Sequence, residues 1–213
     1  MGDVMLQKAS SVKYLGVILD EKVSWSNHME YLTTKLSRNA GIFSKLRYYL
    51  NKETLIKVYH ALFNSHLQYA TLCWGTTNCT NLDRLQVLQN RAIRNMFKAP
   101  RYFRLDNYYL NYRILKVRDL YNLEVAKFMH GHHKKVLPTC FDDFFHERSN
   151  THSYNTRSAS RKNYSLVACR SSQGQRSIRF YGPKIWNSIP TSSRDLSKHR
   201  FKKYYKDFVL SKY

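Results

Sequence analysis

The stretch TNLDRLQVLQNRAIRNMFK, residues 80–98, carries Leu82, Leu85, Leu88, Ala92 and Met96 at intervals of three and four, the period of one buried helical face. Thr80, with Asp83 three residues on, forms a capping-box signature, and Pro100 sets the stop. The opposite face presents Arg84, Arg91, Arg94 and Lys98, with no acid after Asp83 to neutralise them. A cationic helical face is usually only solvated, but one without internal partners suits a phosphate backbone better.

Working outward, the same period recurs. Trp25, Met29, Leu32, Leu36, Phe43 and Leu46 predict a helix from Trp25 to Leu46, with Ser24 or Ser26 as its cap. Leu55, Tyr59, Leu62, His66 and Tyr69 predict another from about Lys52 to Ala70. Since no nucleophile system accompanies His66, it reads as a packing histidine. Val117, Leu120, Tyr121, Val125, Phe128 and Met129 predict a helix that stops at Gly131, and Lys198 to Leu210 is short and amphipathic. Two places depart from the helical period. VKYLGVILD, residues 12–20, reads as a strand passing from a half-exposed to a buried setting, paired with Val4 to Gln7 in a hairpin over about residues 3–19. Ile178, Phe180, Ile185 and Trp186 around Gly182-Pro183 read as a strand, a turn and a buried anchor, a small β or irregular element near 176–186.

The expected fold class is therefore mainly α: a short N-terminal β-hairpin (1–20), a helical bundle (21–100) and a basic, partly irregular C-terminal extension (101–213). The expected core includes Leu15, Val17, Leu32, Leu36, Leu62, Leu85, Leu88, Ala92, Leu120 and Trp186.

Charge bounds the function. Lys and Arg number 36 against 14 Asp and Glu, a net of +22, while 43% hydrophobic content suffices for a core. Such a field calls for a polyanion, nucleic acid before an anionic membrane. No run approaches the roughly 20 apolar residues of a spanning helix, so no membrane partner is expected. Residues 148–206 are the most basic segment, with Asp195 as their one acid. Arg157, Arg161, Lys162, Arg170, Arg176, Lys184, Arg200, Lys202 and Lys203 are candidate phosphate contacts there, and Tyr164, with no obvious core neighbours, is a candidate base-stacking ring.

Cys73, Cys79, Cys140 and Cys169 contain no C-x-x-C pair and read as free thiols of a reducing compartment. His130, His132, His133, Cys140 and His146 match no ligand spacing, so no metal site is expected from them. Cys140-Phe141-Asp142-Asp143 places two acids together, but it reads as a loop feature or helix start rather than a catalytic pair.

In chain order, VKYLGVILD (12–20), KLSRNAGIFSKLR (35–47), NSHLQYATLCWG (64–75), LDRLQVLQNRAIR (82–94), HSYNTRSAS (152–160) and YGPKIWNSIP (181–190) resemble the C-terminal region of reverse transcriptases of non-LTR (LINE-type) retrotransposons, of the jockey and chicken-repeat sort. The resemblance implies that Lys13, Tyr14, Leu15 and Gly16 sit at a primer grip where the palm ends. It also implies that the helices up to Phe97 are a thumb following the template–primer duplex, and that the remainder is a C-terminal extension for RNA or target DNA. The implied partners are RNA and DNA, meaning template–primer and element RNA, together with the palm and fingers of the same polyprotein. The implied setting is intracellular, nuclear or cytoplasmic. Departures from the family matter. The palm aspartates that hold Mg2+ in the complete polymerase have no counterpart here, so no cofactor is expected in this chain and it reads as a truncated copy. The alternative is a free-standing RNA- or DNA-binding module co-opted from such an element, and a metal-dependent nuclease built on the histidine and cysteine cluster is a third class.

Overall fold

The computed structural model describes residues 8–148 and 162–213. Among the described residues VKYLGVILD folds on itself. β1 (Ser11–Tyr14) and β2 (Val17–Asp20) are antiparallel, in the register Ser11↔Asp20 to Tyr14↔Val17. Leu15 and Gly16 form the two-residue turn, with φ of 45° and 79°. Positive φ at both positions is what a tight hairpin matching the strand twist requires, and Gly16 supplies it without a Cβ penalty. This corrects the sequence expectation of a single strand over 12–20 with a buried end: Leu15, expected in the core, is 72% exposed at the turn tip and Val17 is only half-buried. The expected partner strand, Val4 to Gln7, lies outside the described residues.

The chain then forms two compact units, one of residues 1–70 and 77–105, the other of 71–76 and 106–213. The hairpin thus belongs to the first unit.

In the first unit, Asp20 organises the entry to α1 (Ser26–Leu46). Its carboxylate accepts from the backbone N–H groups of Lys22, Ser24 and Trp25 at 3.2, 2.9 and 2.8 Å. Burial pushes the Asp20 carboxyl up, but these backbone donors outweigh it and hold it below the usual carboxylate range. Neither Ser24 nor Ser26 caps the helix; the residue before it, Trp25, is left-handed and buried. Met29, Leu32, Leu36, Ala40 and Phe43 of α1 are buried against α5 (Cys79–Phe97), which turns Leu82, Leu85, Ala92, Ile93 and Met96 inward. The cap of α5 is Asn78, whose side chain accepts from Asn81 N, and not Thr80. Leu88 is half-buried, because Gln89 takes the inward position and donates to the buried Tyr59 hydroxyl at 2.9 Å.

Between these helices, α2 (Lys52–Tyr59), capped by Asn51, runs through a π-helical turn (His60–Asn64) into α3 (Ser65–Gln68). The wide turn spaces buried residues at every fourth position, so Leu55, Tyr59, Phe63 and Leu67 point inward. Leu62, expected in the core, is 41% exposed for that reason, and Tyr69 is exposed too, its hydroxyl donating to the Leu15 carbonyl oxygen.

The second unit is built on α7 (Val117–His133), which runs through Gly131 rather than stopping there. α4 (Thr71–Trp74) packs on it: a Cβ at Gly75 would lie 2.3 Å from the Tyr121 ring. α6 (Asp106–Asn111) precedes it, and a 3-10 turn (Thr139–Phe144) follows. After the short α8 (Ser172–Arg176) comes α9 (Ile178–Asn187), a helix where a β or irregular element was expected. Ser177 caps it and Pro183 lies inside it. Gly182 lets it close on α7, since a Cβ there would meet Met129 Sδ at 2.7 Å. α10 (Thr191–Arg194) and α11 (Lys198–Leu210) complete the unit, with Trp186, Phe201 and Tyr164 fully buried together.

Candidate nucleic-acid interface

α1 and α5 run in the same direction. Thr77, just before α5, donates to the carbonyl of Ser24, just before α1, at 3.5 Å, and Asn95 near the end of α5 donates to Ala40 O at 2.7 Å. Both C-termini therefore meet at one end of the first unit. There a concavity of about 620 Å3 is lined by Arg47, Val87, Arg91, Arg94, Asn95, Lys98, Ala99 and Arg101. Five of these eight are cations and none is an acid.

Backbone and ring contacts hold two of the cations, Arg47 and Lys98. Arg47 donates from Nη1 to Asn95 O at 3.2 Å and from Nη2 to the Tyr48 hydroxyl at 3.1 Å. Lys98, in the left-handed conformation that ends α5, places Nζ 4.6 Å from the centre of the Tyr48 ring, and the Arg47 guanidinium stands 5.0 Å from it. The Arg47 hydrogen bond, helped by the charges of Arg47 and Lys98, holds the Tyr48 phenol below its ordinary range. The Nε atoms of Arg47 and Arg94 are buried with no hydrogen-bond partner among the described residues. Two helix C-termini present partial negative charge and absorb part of this cationic field, but the groove carries more cations than two helix ends require. A surface of fixed donors without carboxylates can receive the oxygens of successive phosphates.

Of the sequence-predicted residues, the fold brings Arg91, Arg94 and Lys98 into this groove, with Arg84 exposed further up the same helix. Arg47 and Arg101 were missed, and so was Tyr48. The signal available in the sequence was the turn Leu46-Arg47-Tyr48-Tyr49, a basic and aromatic break in helical period. Lys13, Tyr14 and Gly16 are exposed on the hairpin, with Lys13 Nζ 5.6 Å from the Tyr31 ring and Lys35 Nζ 4.8 Å from it. Tyr31 and Arg47 are about 24 Å apart along the α1 axis at 1.5 Å per residue, so the hairpin and the groove are separate features of this unit.

In the second unit Lys162, Arg170, Lys184, Arg200, Lys202 and Lys203 are exposed, and Arg176 is half-buried. Arg157 and Arg161 lie outside the described residues. Tyr164 corrects the sequence expectation: it is 1% exposed, donates or accepts at His132 Nδ1 over 2.9 Å, and packs against Trp186 and Phe145. Its ring is a core element with no face for a base. Arg194, counted among the cations of that segment, is also buried. It donates to Ile189 O, Trp186 O, Lys162 O and Asn163 Oδ1 at 2.9 to 3.3 Å.

The histidines of α7 serve packing. His130 is hydrogen-bonded to Leu196 O at 2.9 Å and stacked on Phe201, and His133 lies against Trp186. Among the described residues no three His, Cys, Asp or Glu side chains are grouped for a metal ion, and Asp142 and Asp143 are exposed in the 3-10 turn. No helix among the described residues is long and apolar enough to cross a membrane.

Similarity to curated proteins points the same way as the motifs. The chain is 31% identical over 107 residues to a protein described as a probable RNA-directed DNA polymerase from transposon BS of Drosophila melanogaster, 47% of this chain and 12% of that protein. It is 28% identical over 130 residues to the RNA-directed DNA polymerase from mobile element jockey of Drosophila funebris, and 23% over 129 residues to that of Drosophila melanogaster, each match covering 59% of this chain and 14% of the relative. The chain therefore spans about an eighth of the length of the relatives it matches. Over roughly half of its own length it is similar to RNA-directed DNA polymerases of Drosophila transposons and mobile elements. No family model matches the chain, and no solved structure does.

Proposed function

We propose that this chain is the thumb-like, nucleic-acid-holding region of such a polymerase, and that it binds template–primer and element RNA through phosphates without polymerising alone. The observation that carries this reading is the acid-free groove of Arg47, Arg91, Arg94, Lys98 and Arg101 at the paired ends of α1 and α5. The hairpin residues Lys13, Tyr14 and Gly16 approach the primer end in this reading. The exposed cations of the second unit add a sequence-independent contribution, and the palm and fingers of the same polyprotein supply the Mg2+ site and the chemistry. The setting is intracellular, nuclear or cytoplasmic.

The test is a salt titration of binding to a duplex. If each of the five groove cations neutralises one phosphate, the groove alone contributes a slope of about −4.5 in log affinity against log salt. The combined variant Arg91→Ala, Arg94→Ala, Lys98→Ala lowers that slope by about 3 and keeps its fold, since these side chains lie outside the core. A slope unchanged in this variant overturns the groove as the interface. Primer extension with Mg2+ and nucleotides is expected to give no product, and extension abolished by Asp142→Ala overturns the assignment of a purely binding role.

A further inference from the structure

Because α1 and α5 are parallel, the turns that follow them leave the same end of the first unit, and both carry large aromatic side chains that the fold leaves in solvent. After α1, Tyr48 is 65% and Tyr49 85% exposed; after α5, Tyr102 is 89% and Phe103 41% exposed. Burying such rings would be favourable if the core had use for them, and elsewhere in the chain it has: Tyr59, Tyr109 and Tyr164 are at most 1% exposed. Groove cations belong to or adjoin both turns. Arg47 precedes Tyr48, Lys98 stands over the Tyr48 ring, and Arg101 precedes Tyr102. Tyr48 is committed to holding those cations, whereas Tyr49 and Tyr102, next in sequence to Tyr48 and Arg101, are left exposed.

A duplex has its bases stacked internally and offers a protein phosphates and groove edges. A single strand offers the same phosphates together with unstacked base faces, and rings flanking a cationic track are the arrangement that receives both. The occupant that fits charge and rings together is a single strand, not an apolar peptide, which would leave five cations facing nothing of opposite sign. The rings add nothing for a blunt duplex, whose bases they cannot reach.

We infer that this end of the molecule is a single-strand docking site in which Tyr49 and Tyr102 stack exposed bases while Arg47, Arg91, Arg94, Lys98 and Arg101 hold the intervening phosphates. This rests on the reading of the groove as a nucleic-acid interface and adds to it a preference for unpaired template or RNA over closed duplex.

The experiment compares binding of a short oligothymidylate strand, the same strand with abasic sites, and a blunt duplex of equal length, by fluorescence anisotropy at fixed salt. Tyr102→Ala and Tyr49→Ala are each expected to weaken the single strand by about 5- to 150-fold, the range for loss of one stacked base. Each leaves the duplex and the abasic strand within about twofold, and Tyr→Phe at either position restores the wild-type value. Both side chains are solvent-exposed, so the variants fold. Equal losses on single strand and duplex, or no loss on the single strand, overturn the stacking site. The double variant Arg91→Ala, Lys98→Ala separates the two readings. If it weakens all three probes while the tyrosine variants change nothing, the groove stands and the stacking site falls; if it weakens none of them, the groove itself falls.

Discussion

Arg94 and Arg194 lie in segments of similar composition, basic and rich in aromatic residues, yet the two units use them in opposite ways. In the first unit Arg47, Arg91 and Arg94 line an acid-free groove, and Tyr49 and Tyr102, in the turns that follow α1 and α5, stand in solvent. In the second, Arg194 is 3% exposed with its charge spent on backbone carbonyls and its guanidinium 5.2 Å from the Trp186 ring, while Tyr164, Trp186 and Phe201 form the core. The difference teaches that a mixture of cations and rings is no evidence of stacking on bases until the rings are known to be exposed. The segment with the higher charge density is the one that consumes its aromatics internally.

The sharpest way to break this contrast is to remove the centre of the second core. Trp186→Ala is expected to destabilise by about 3–5 kcal/mol, the range for truncating a buried aromatic, as measured by denaturant unfolding. Nucleic-acid affinity of the protein that remains folded stays within about threefold. A loss of affinity with little loss of stability would place Trp186, and with it the aromatics of this segment, at the interface.

What was legible in the sequence follows the range of the forces involved. The helical period of α1, α5, α7 and α11 is local, and it placed Leu32, Leu36, Leu85, Ala92 and Leu120 correctly in the core, whereas Trp186 was read as buried but in an element of the wrong type. The π-helical turn shifted the buried stripe by one residue, from Leu62 to Phe63, and single-residue shifts of this kind have no signal in hydrophobic period. VKYLGVILD looked continuous because apolar content hid a turn that only Leu15-Gly16 betrays. In the groove, three of five cations were visible because they share one helix. Arg47 and Arg101 reach it only through the parallel packing of α1 and α5, and Tyr164 is buried by partners 19 to 32 residues away in sequence, Phe145, Trp186 and His132.

A smaller effect is expected at Arg194. Arg194→Lys keeps the charge but not the planar fork that serves several acceptors at once, and takes the Nε and Nη2 donors away from the Ile189 carbonyl. Unsatisfied buried groups cost about 1–3 kcal/mol, so the lysine variant is expected to lose stability in that range in chemical denaturation, with an unchanged salt slope for binding. The same replacement at Arg94, whose side chain lines the groove, is expected to move stability by less than about 0.5 kcal/mol. Equal stability losses at the two positions would erase the distinction between a structural and a ligand-facing arginine.

The smallest expected effect is on pH dependence, and it tests the contrast through histidines present in both units. In the first, His28 is buried and its Nδ1 accepts from Ile18 N at 3.4 Å, tying β2 to α1. In the second, burial is again the leading influence on His130 and His133, and it outweighs the attraction of Asp195, 3.8 Å from His133. All three imidazoles are held below the ordinary histidine range, so the folded protein takes up protons less readily than the unfolded chain. Stability is then fully present above about pH 6.5, the ordinary value, and declines as pH falls through that value toward the lowered folded ones. At His28 protonation also turns the acceptor of the Ile18 amide into a donor, so the hairpin should loosen before the core does. Amide exchange is expected to show the protection of Ile18 falling as pH drops below about 6.5, ahead of amides in α5. His28→Asn, which offers an oxygen acceptor that does not titrate in this range, is expected to keep that protection flat while the acid dependence owed to His130 and His133 persists. If the Asn variant retains the wild-type loss of protection at Ile18, the hairpin is held by something other than this imidazole.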